Sequence, residues 1–277
     1  MNYSKLMLGT VQFGMNYGIA NIHGKPSFDT VKQILRIAVD SGITAFDTAA
    51  AYGDSEDVLG RACAELGISN KILIVSKIPP LPADIDPEKF IKTSLVTSLK
   101  RLRLEILPAA LLHRETDIHA LPILQSMIAQ GFIQNAGISL DSVIYRDQAL
   151  NIPLVQIPCN PVDHRFDAWI EQRIHHTFIR SVYLQGMLLM PEDKIIPGLA
   201  PYRRKLEVFG IPLKELCMRY LLGFGERISI LTGVETPEQL TENIRLASLG
   251  PLPPEIMQAV KTAVPLLDET LIRPKLW

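Results

Sequence analysis

An acid, a tyrosine, a lysine and a histidine stand at or just after the ends of apolar runs, and together they could move a proton. Asp47 and Tyr52 lie in FDTAAAYGDSE, Lys77 in IVSKI, and His113 directly after AALL. A phenol is a poor acid at neutral pH unless a nearby cation stabilises its phenolate. Lys77 is a candidate for that cation, with Asp47 holding the ammonium charged. With His113 positioning a substrate oxygen, the set would protonate a carbonyl oxygen or deprotonate an alcohol.

Taken singly, each of these residues has an ordinary structural explanation. Asp47 would cap a turn, Lys77 would extend to water, and a lone histidine is usually satisfied by local hydrogen bonds. Their occurrence on one predicted strand after another is harder to attribute to chance. A metal site with Asp47 and His113 as ligands needs a third ligand, and the other histidines lie in helical or loop patterns. We therefore predict no metal.

The elements that must position these residues are short apolar runs alternating with amphipathic stretches. Continuous apolar runs predict strands buried on both faces, as in a parallel sheet. They occupy residues 5–11, 43–48, 71–78, 106–113, 133–139, 154–159, 179–184 and 228–234. The intervening stretches predict helices, including AWIEQRIHH and DSVIYRDQALN, and Ser55 is expected to be the N-cap of the helix that begins SEDV.

Eight strand–helix units without a break in composition predict one domain over residues 1–277, folded as a closed (β/α)8 TIM barrel. The alternative is an open doubly wound sheet, but GTVQFGMNYG lacks the GxGxxG turn expected there for a dinucleotide. In the barrel, the carboxyl ends of the strands meet at one mouth. Ser139 and Gln156, from the fifth and sixth strands, would then join the four residues above.

The composition indicates a globular protein with a sizeable core. The 277 residues are 47% hydrophobic and 21% charged, with a formal net charge of -1. The sequence has no basic block of the kind that predicts binding to nucleic acid or to a membrane surface. No segment is apolar enough to span a bilayer. The opening residues lack the apolar run of a signal peptide, and the three cysteines have no paired spacing. We expect a cytoplasmic protein with reduced thiols.

The stretch FDTAAAYGDSEDVLG, supported by LMLGTVQFG, GIS and TPEQLTEN, resembles the sequence signature of the aldo-keto reductases. These are NAD(P)-dependent oxidoreductases that fold as (β/α)8 barrels, and the resemblance covers nearly the whole chain. It implies that Asp47, Tyr52, Lys77 and His113 form the family's catalytic tetrad. Tyr52 would be the general acid in reduction, and His113 would orient the carbonyl.

The resemblance also implies contacts with NADPH or NADH. Ser139 and Gln156 correspond to the pair that hydrogen-bonds the nicotinamide carboxamide. Many family members place an aromatic residue that stacks on the nicotinamide at the seventh strand. In this chain either Arg180 or Tyr183 would take that role, and the sequence leaves the choice open. Further cofactor contacts are implied near the first strand, after the eighth strand and within TPEQLTEN. The residues are Gly9, Thr10, Gly233, Gln239, Glu242 and Asn243.

The chain departs from the family where NADPH-selective members hold the 2′-phosphate with a lysine and an arginine. Gly233 stands at the lysine position and Gln239 at the arginine position, with the acidic Glu235 between them. Each missing charge-assisted hydrogen bond is worth about 1.5–3 kcal/mol. The departure weakens the expected preference for NADPH and raises that for NADH, with Arg245 as a candidate substitute.

The expected activity is the reduction of an aldehyde or ketone, such as a sugar-type carbonyl, to an alcohol, or the reverse. A cofactor-binding sensor or regulatory subunit with little turnover is the first alternative, and a barrel hydrolase or lyase is the second. The expected partner is a small carbonyl or alcohol, without nucleic acid or membrane. Substrate walls are expected from residues 17–28, 78–88 and 185–210 and from the C-terminal tail. Their mixed composition does not select a substrate.

Overall fold

The core of the molecule is a closed barrel of eight parallel strands. The structure, a computed structural model, describes residues 2–277. The strands are β1 (Leu6–Gly9), β2 (Ala45–Asp47), β3 (Leu73–Ile78), β4 (Ala109–Leu112), β5 (Ala136–Ser139), β6 (Leu154–Pro158), β7 (His176–Arg180) and β8 (Ile228–Gly233). They pair in chain order, and β1 closes the barrel by pairing with β8 as well as β2. The predicted (β/α)8 barrel is confirmed.

Helices surround this barrel on its outer side. They are α1 (Val11–Gly14), α2 (Phe28–Asp40), α3 (Ser55–Leu66), α4 (Pro87–Leu102), α5 (Leu121–Ala129), α6 (Asp167–Gln172), α7 (Ala200–Glu207), α8 (Leu213–Leu222), α9 (Pro237–Ser248), α10 (Pro254–Ala263) and α11 (Glu269–Ile272). The predicted helix DSVIYRDQALN is instead a short 3-10 helix, Val143–Tyr145, followed by turns. Within residues 2–277, no helix combines the length and the apolarity needed to cross a bilayer.

Local side-chain hydrogen bonds set the starts of three long helices. Ser27, Asp86 and Thr236 each accept a hydrogen bond from the backbone N–H three residues ahead, so the first turns of α2, α4 and α9 are capped. The prediction that Ser55 is the N-cap of α3 is wrong by one residue, since Asp54 occupies that position. Ser55 is buried and donates instead to the Thr10 carbonyl at 2.7 Å.

The apolar core has an inner and an outer part because side chains alternate between the two faces of each strand. The inner part fills the barrel with one or two side chains from most strands: Tyr3, Met7, Ala45, Val75, Ala109, Leu111, Leu154 and Phe178. The larger outer part joins the other strand faces to the helices and includes Leu8, Phe46 and Ile74. The residues that occupy the barrel axis are thus fixed by the period of two along each strand.

The seventh strand and the helix before it differ from their predictions. β7 is His176–Arg180 rather than 179–184, and α6 ends at Gln172 before RIHH. Ser181 has a φ of 63°, a left-handed conformation that ends the strand. Arg173 is buried, and its guanidinium donates to carbonyls of the β5–β6 connection, among them Ala149 at 2.8 Å and Ile152 at 2.8 Å. These tertiary contacts override the helical period of the sequence.

Truncating the inner core should be costly. Phe178 is fully buried and packs edge-on against Tyr3, with ring centroids 5.0 Å apart. We expect Phe178→Ala to lower the free energy of unfolding by about 3–5 kcal/mol, because it leaves a cavity where the barrel cannot collapse. Urea denaturation measures this change. The control Val208→Ala, at a side chain that is 85% exposed, should stay within about 0.5 kcal/mol of the parent chain. Equal effects of the two changes would contradict this assignment of the core.

Candidate active site

Polar side chains form the layer directly above the apolar interior of the barrel. Residues two apart on a strand share a face, so each polar residue lies one step nearer the mouth than an inward apolar residue. This step leads from Ala45 to Asp47, Val75 to Lys77, Leu111 to His113, Leu154 to Gln156 and Phe178 to Arg180. The regular geometry of the barrel thus brings together five side chains that are scattered along the sequence.

The centre of this layer is an ion pair between Lys77 and Asp47. Lys77 Nζ donates to Asp47 Oδ1 at 2.6 Å and to the Thr48 carbonyl at 2.9 Å, and both charged side chains are buried. Gln156 Nε2 donates to the second carboxylate oxygen of Asp47 at 2.7 Å. Burial by itself lowers the pKa of Lys77, but Asp47 and Tyr52 outweigh it and hold that pKa above its usual value. The ammonium is therefore charged at neutral pH.

Tyr52 lies in the loop between β2 and α3, where backbone packing holds it against the ion pair. Lys77 Nζ is 4.9 Å from the centroid of the Tyr52 ring. Gly14, at the end of α1, packs directly on this loop, since a Cβ there would lie 1.9 Å from the Tyr52 carbonyl oxygen. Only glycine at position 14 permits this approach, so the α1 backbone fixes where the tyrosine stands.

His113 faces Tyr52 from the end of β4 and is uncharged at neutral pH. The two ring centroids are 5.7 Å apart at an interplanar angle of 83°. Burial lowers the pKa of His113 to about 3, assisted by the positive charges of Lys77 and Arg180. Its Nδ1 is buried without a hydrogen-bond partner among the described residues. A neutral imidazole beside a phenol and an ammonium suits the binding of a carbonyl oxygen.

A cleft of about 260 Å³ opens at this layer and extends over the ends of β1, β7 and β8 to α9. Asp47 and Tyr52 line it together with most of the predicted cofactor residues: Gly9, Thr10, Gln156, Tyr183, Gly233, Gln239 and Asn243. Two predicted cofactor residues do not line the cleft, and neither do the predicted catalytic residues Lys77 and His113. Ser139 is buried opposite Gln156 in the β5–β6 register. The carboxylate of Glu242 binds Arg245 at 2.8 Å.

The two residues at the end of β7 occupy different parts of this cleft. Arg180 belongs to the layer of Asp47 and Gln156, and its Nη2 donates to Asp141 at 2.8 Å. Tyr183 follows the turn, and its hydroxyl donates to Asn243 on α9 at 3.1 Å. Burial raises the pKa of Tyr183 far above its usual value, so the phenol stays protonated. Arg180 therefore stands at the end of the cleft near Asp47 and Gln156, and Tyr183 stands at the end near α9.

A long loop between α1 and α2 covers part of the cleft. Tyr17 accepts a hydrogen bond from Gln185 Nε2 at 3.0 Å, and the Ile19 backbone N–H donates to the Gln185 carbonyl at 3.2 Å. Tyr17, Ala20 and Asn21 line the cleft from this side. Of the predicted substrate walls, residues from 17–28 and 185–210 line it, whereas none from 78–88 does so in the described chain.

The C-terminal tail is tied to the mouth by ion pairs. Asp141, just after β5, accepts from Arg273 at 2.9 Å and also pairs with Lys275 and Arg180. Burial would raise the pKa of Asp141, but Arg180 and Lys275 hold it well below its usual range. The tail thus contacts the cleft indirectly, through the carboxylate that also holds Arg180.

The residues that line the cleft but were not among the predicted site residues include Gln12, Tyr17, Lys214 and Glu235. Gln12 and Glu235 are hydrogen-bonded to each other although they are 223 positions apart. Only the pairing of β1 with β8 brings them together, so no local pattern identifies them. Glu235 carried the one available signal, as an acid in a segment where the family places basic residues.

Comparison with known proteins identifies the family to which this barrel belongs. The family model described as "Aldo/keto reductase family" matches residues 5–183. The chain belongs to the aldo/keto reductase family. Members are oxidoreductases that use nicotinamide cofactors. A curated relative, an aldo-keto reductase of Strobilurus tenacellus, is 22% identical, and the match covers 93% of this chain and 89% of the relative.

Other relatives share less of their length or only the fold. The 6-dehydroglucose reductase of Novosphingobium aromaticivorans is 27% identical, but the match spans only half of either chain. A holo-form aldo-keto reductase structure from Bacillus halodurans superposes with a TM-score of 0.77 at 20% identity, covering 98% of this chain and 96% of that one. A glycerol dehydrogenase from Gluconobacter oxydans gives a TM-score of 0.73 at 21% identity, with 98% and 93% covered. At these identities the structures establish the barrel, not a substrate.

The neutral state of His113 predicts a pH dependence of stability. Its folded pKa of about 3 lies below the usual 6.5, so the unfolded chain binds the proton more readily as the pH falls below about 6.5. The parent chain should therefore lose more unfolding free energy between pH 7 and pH 5 than His113→Asn, by up to about 1.4 kcal/mol per pH unit. Urea denaturation at the two pH values measures the difference.

The matched control is His119→Asn, at an exposed histidine six residues further along the chain. That variant should follow the parent chain at both pH values. An identical pH response of the parent chain and His113→Asn would show that His113 is not held neutral by the fold.

Proposed function

We propose that this aldo/keto reductase interconverts a small oxygenated aldehyde or ketone with its alcohol, using NADH or NADPH and Tyr52 as the general acid or base. The observation that carries the proposal is the buried Lys77 ammonium, bound to Asp47 at 2.6 Å and lying 4.9 Å from the Tyr52 ring centroid. A buried cation beside a phenol stabilises the phenolate left when the tyrosine donates its proton. This arrangement lies at the end of an open cleft.

The protein residues divide the proton chemistry among them. In reduction, the Tyr52 hydroxyl donates its proton to the carbonyl oxygen, and Lys77 stabilises the resulting phenolate. Neutral His113 holds the same oxygen by a hydrogen bond without competing as an acid, since its pKa is about 3. Asp47 keeps Lys77 charged, and Gln156 and Thr10 keep Asp47 in place. Oxidation of the alcohol uses the same groups in reverse.

The nicotinamide cofactor supplies or accepts the hydride when it is bound. Two features of the chain suit such a group. The cleft joins the Tyr52 layer to α9 without interruption, and the buried Gln12 Oε1 beside it has no hydrogen-bond donor among the described residues. The residues that would hold the cofactor are those predicted residues that line the cleft, with Gln156 nearest the proton-transfer groups and Asn243 on α9 at the other end.

The substrate class rests on the polarity of the cleft and on the relatives. Tyr17, Asn21 and Gln185 line the same cleft as Tyr52 and bring hydroxyl and amide groups to its wall. Named relatives include a 6-dehydroglucose reductase, a methylglyoxal reductase of Escherichia coli and a glycerol dehydrogenase. These names share small, oxygen-rich compounds, which such a wall would bind by hydrogen bonds.

Removing the Tyr52 hydroxyl should separate turnover from cofactor binding. We expect Tyr52→Phe to lower kcat for methylglyoxal or glyceraldehyde at least about 100-fold, because the proton donor is lost. The dissociation constant of the reduced cofactor, measured by calorimetry, should stay within about twofold. The control Tyr202→Phe, on α7 and outside the cleft, should keep the parent kcat.

Two outcomes would contradict the proposal. Turnover of Tyr52→Phe close to that of the parent chain would remove Tyr52 from its role. Tight cofactor binding by the parent chain without turnover on a broad panel of aldehydes, ketones, sugars and polyols would favour the sensor alternative.

A further inference from the structure

The end of the cleft beyond β8 is rich in hydrogen-bond acceptors and poor in donors. Gln12 is buried and Glu235 half-buried, and both line the cleft. Gln12 Nε2 donates to Glu235 Oε1 at a long 3.4 Å, while Gln12 Oε1 is buried without any donor in residues 2–277. An unsatisfied buried acceptor costs about 1–3 kcal/mol. A ligand that brings hydroxyl donors to this pair would relieve that cost.

Gly233 makes room for this acceptor pair. A Cβ at position 233 would lie 2.5 Å from Gln12 Oε1 and 2.7 Å from Gln12 Nε2. Any side chain at this position would therefore displace the Gln12 amide from the end of β8. Gly233 stands where NADPH-selective family members place a lysine that binds the 2′-phosphate. The absence of a side chain at this position also leaves room for the uncharged amide of Gln12.

The start of α9 offers little to an anion, although helix N-termini commonly bind phosphate through free backbone N–H groups. Here the N–H of Glu235 donates to Gln239 Oε1 at 2.7 Å, and the N–H of Gln239 donates to Thr236 Oγ1 at 3.3 Å. Pro237, the first residue of the helix, has no N–H. The chain's own side chains thus occupy two of the backbone donors at this helix start.

The nearby cations do not make up for this. Arg245 holds Glu242 with two hydrogen bonds, at 2.8 Å and 3.0 Å, and so is already neutralised. Lys214, at the start of α8, lines the cleft, and burial lowers its pKa. It is the one cation of the described cleft lining on this side, and Glu235 lines the same opening. A group carrying close to two negative charges would be repelled by that carboxylate.

We propose that Glu235 and Gln12 bind the two free hydroxyl groups of the adenosine ribose, so that this chain selects NADH over NADPH. The inference rests on the proposed function and adds the identity of the cofactor and the residues that choose it. Ribose hydroxyls donate to the Glu235 carboxylate and to Gln12 Oε1, satisfying both. A 2′-phosphate removes one of those donors and places an anion beside the carboxylate. Acidic side chains select the free diol in this way in other dinucleotide sites.

Calorimetric titration of the parent chain with NADH and NADPH gives the first test and needs no substrate. We expect NADPH to bind at least about tenfold more weakly than NADH. The reason is that the 2′-phosphate replaces one charge-assisted hydrogen bond to Glu235 with repulsion. The preference should shrink as salt is raised, because screening weakens the repulsion. Equal binding, or tighter binding of NADPH, would overturn the inference while leaving the proposed function intact. Binding of neither dinucleotide would instead remove the proposed function, and this inference with it.

Substitution then tests the residues themselves. Glu235→Gln keeps the size of the side chain and removes its charge, so NADPH should bind about tenfold more tightly than to the parent chain while NADH weakens. The matched control is Glu238→Gln, which removes the same charge from an exposed position three residues away. It should leave the ratio of the two dissociation constants unchanged. An unchanged ratio in Glu235→Gln would exclude Glu235 as the selecting residue.

Lys214→Met tests the remaining explanation, which is that Lys214 binds the 2′-phosphate of NADPH. If the lysine contacts a part common to both dinucleotides, the two affinities should fall by the same factor. A selective loss of NADPH affinity would show that Lys214 holds the 2′-phosphate, and the inference would be wrong. Thermal unfolding of each variant, compared with the parent chain, confirms that the binding changes are measured on folded protein.

Discussion

The buried ion pair between Lys77 and Asp47 is the interaction on which the rest of the site depends. An ammonium in a low-dielectric interior is stable only if a carboxylate and further hydrogen bonds replace its water. The structure supplies these from several elements: Asp47 from β2, the Thr48 carbonyl from the following loop, and Gln156 from β6. Because the pair bridges neighbouring strands at the mouth, its geometry is as rigid as the barrel itself. That rigidity holds the Lys77 charge beside the Tyr52 ring, where it adds to the burial that lowers the pKa of His113.

The barrel solves a positional problem that no single element could solve. Proton transfer requires groups of different chemistry within a few ångströms, yet each belongs to a different part of the chain. In a barrel of parallel strands, inward-facing residues of different strands lie in common layers. The polar layer therefore lies two residues nearer the mouth than the apolar layer on each of these strands. Close backbone packing then places the one residue that is not on a strand, since Gly14 fits against the Tyr52 carbonyl only because it lacks a side chain.

The two ends of the cleft carry different polar groups. At one end, Lys77 and Arg180 are paired with Asp47 and Asp141. The far end presents Glu235 and the unpaired oxygen of Gln12, close to α9. A ligand that spans the cleft therefore meets the Lys77–Asp47 pair at one end and hydrogen-bond acceptors at the other. This asymmetry gives the opening a direction, which the shape of the cleft alone would not.

The sequence by itself predicted the closed barrel and the convergence of Asp47, Lys77 and His113 at its mouth. Continuous apolar runs mark strands buried on both faces, and a polar residue that ends such a run must lie at the mouth. Asp47, Lys77 and His113 were found in this way because the two-residue period is local. The same reasoning located Gln156, but not the hydrogen bond that ties it to Asp47, since that contact joins residues 109 positions apart.

Only the tertiary structure decided the remaining features. β7 ends at Arg180 because Ser181 turns into a left-handed conformation, and this places Arg180 in the catalytic layer and Tyr183 beside Asn243. Ser55 bonds to the first loop rather than capping α3, because the chain folds Thr10 against it. The pairing of Gln12 with Glu235 exists only because β1 and β8 close the barrel. In each case the deciding contact lies between segments distant in the chain, where periodicity and local propensity carry no information.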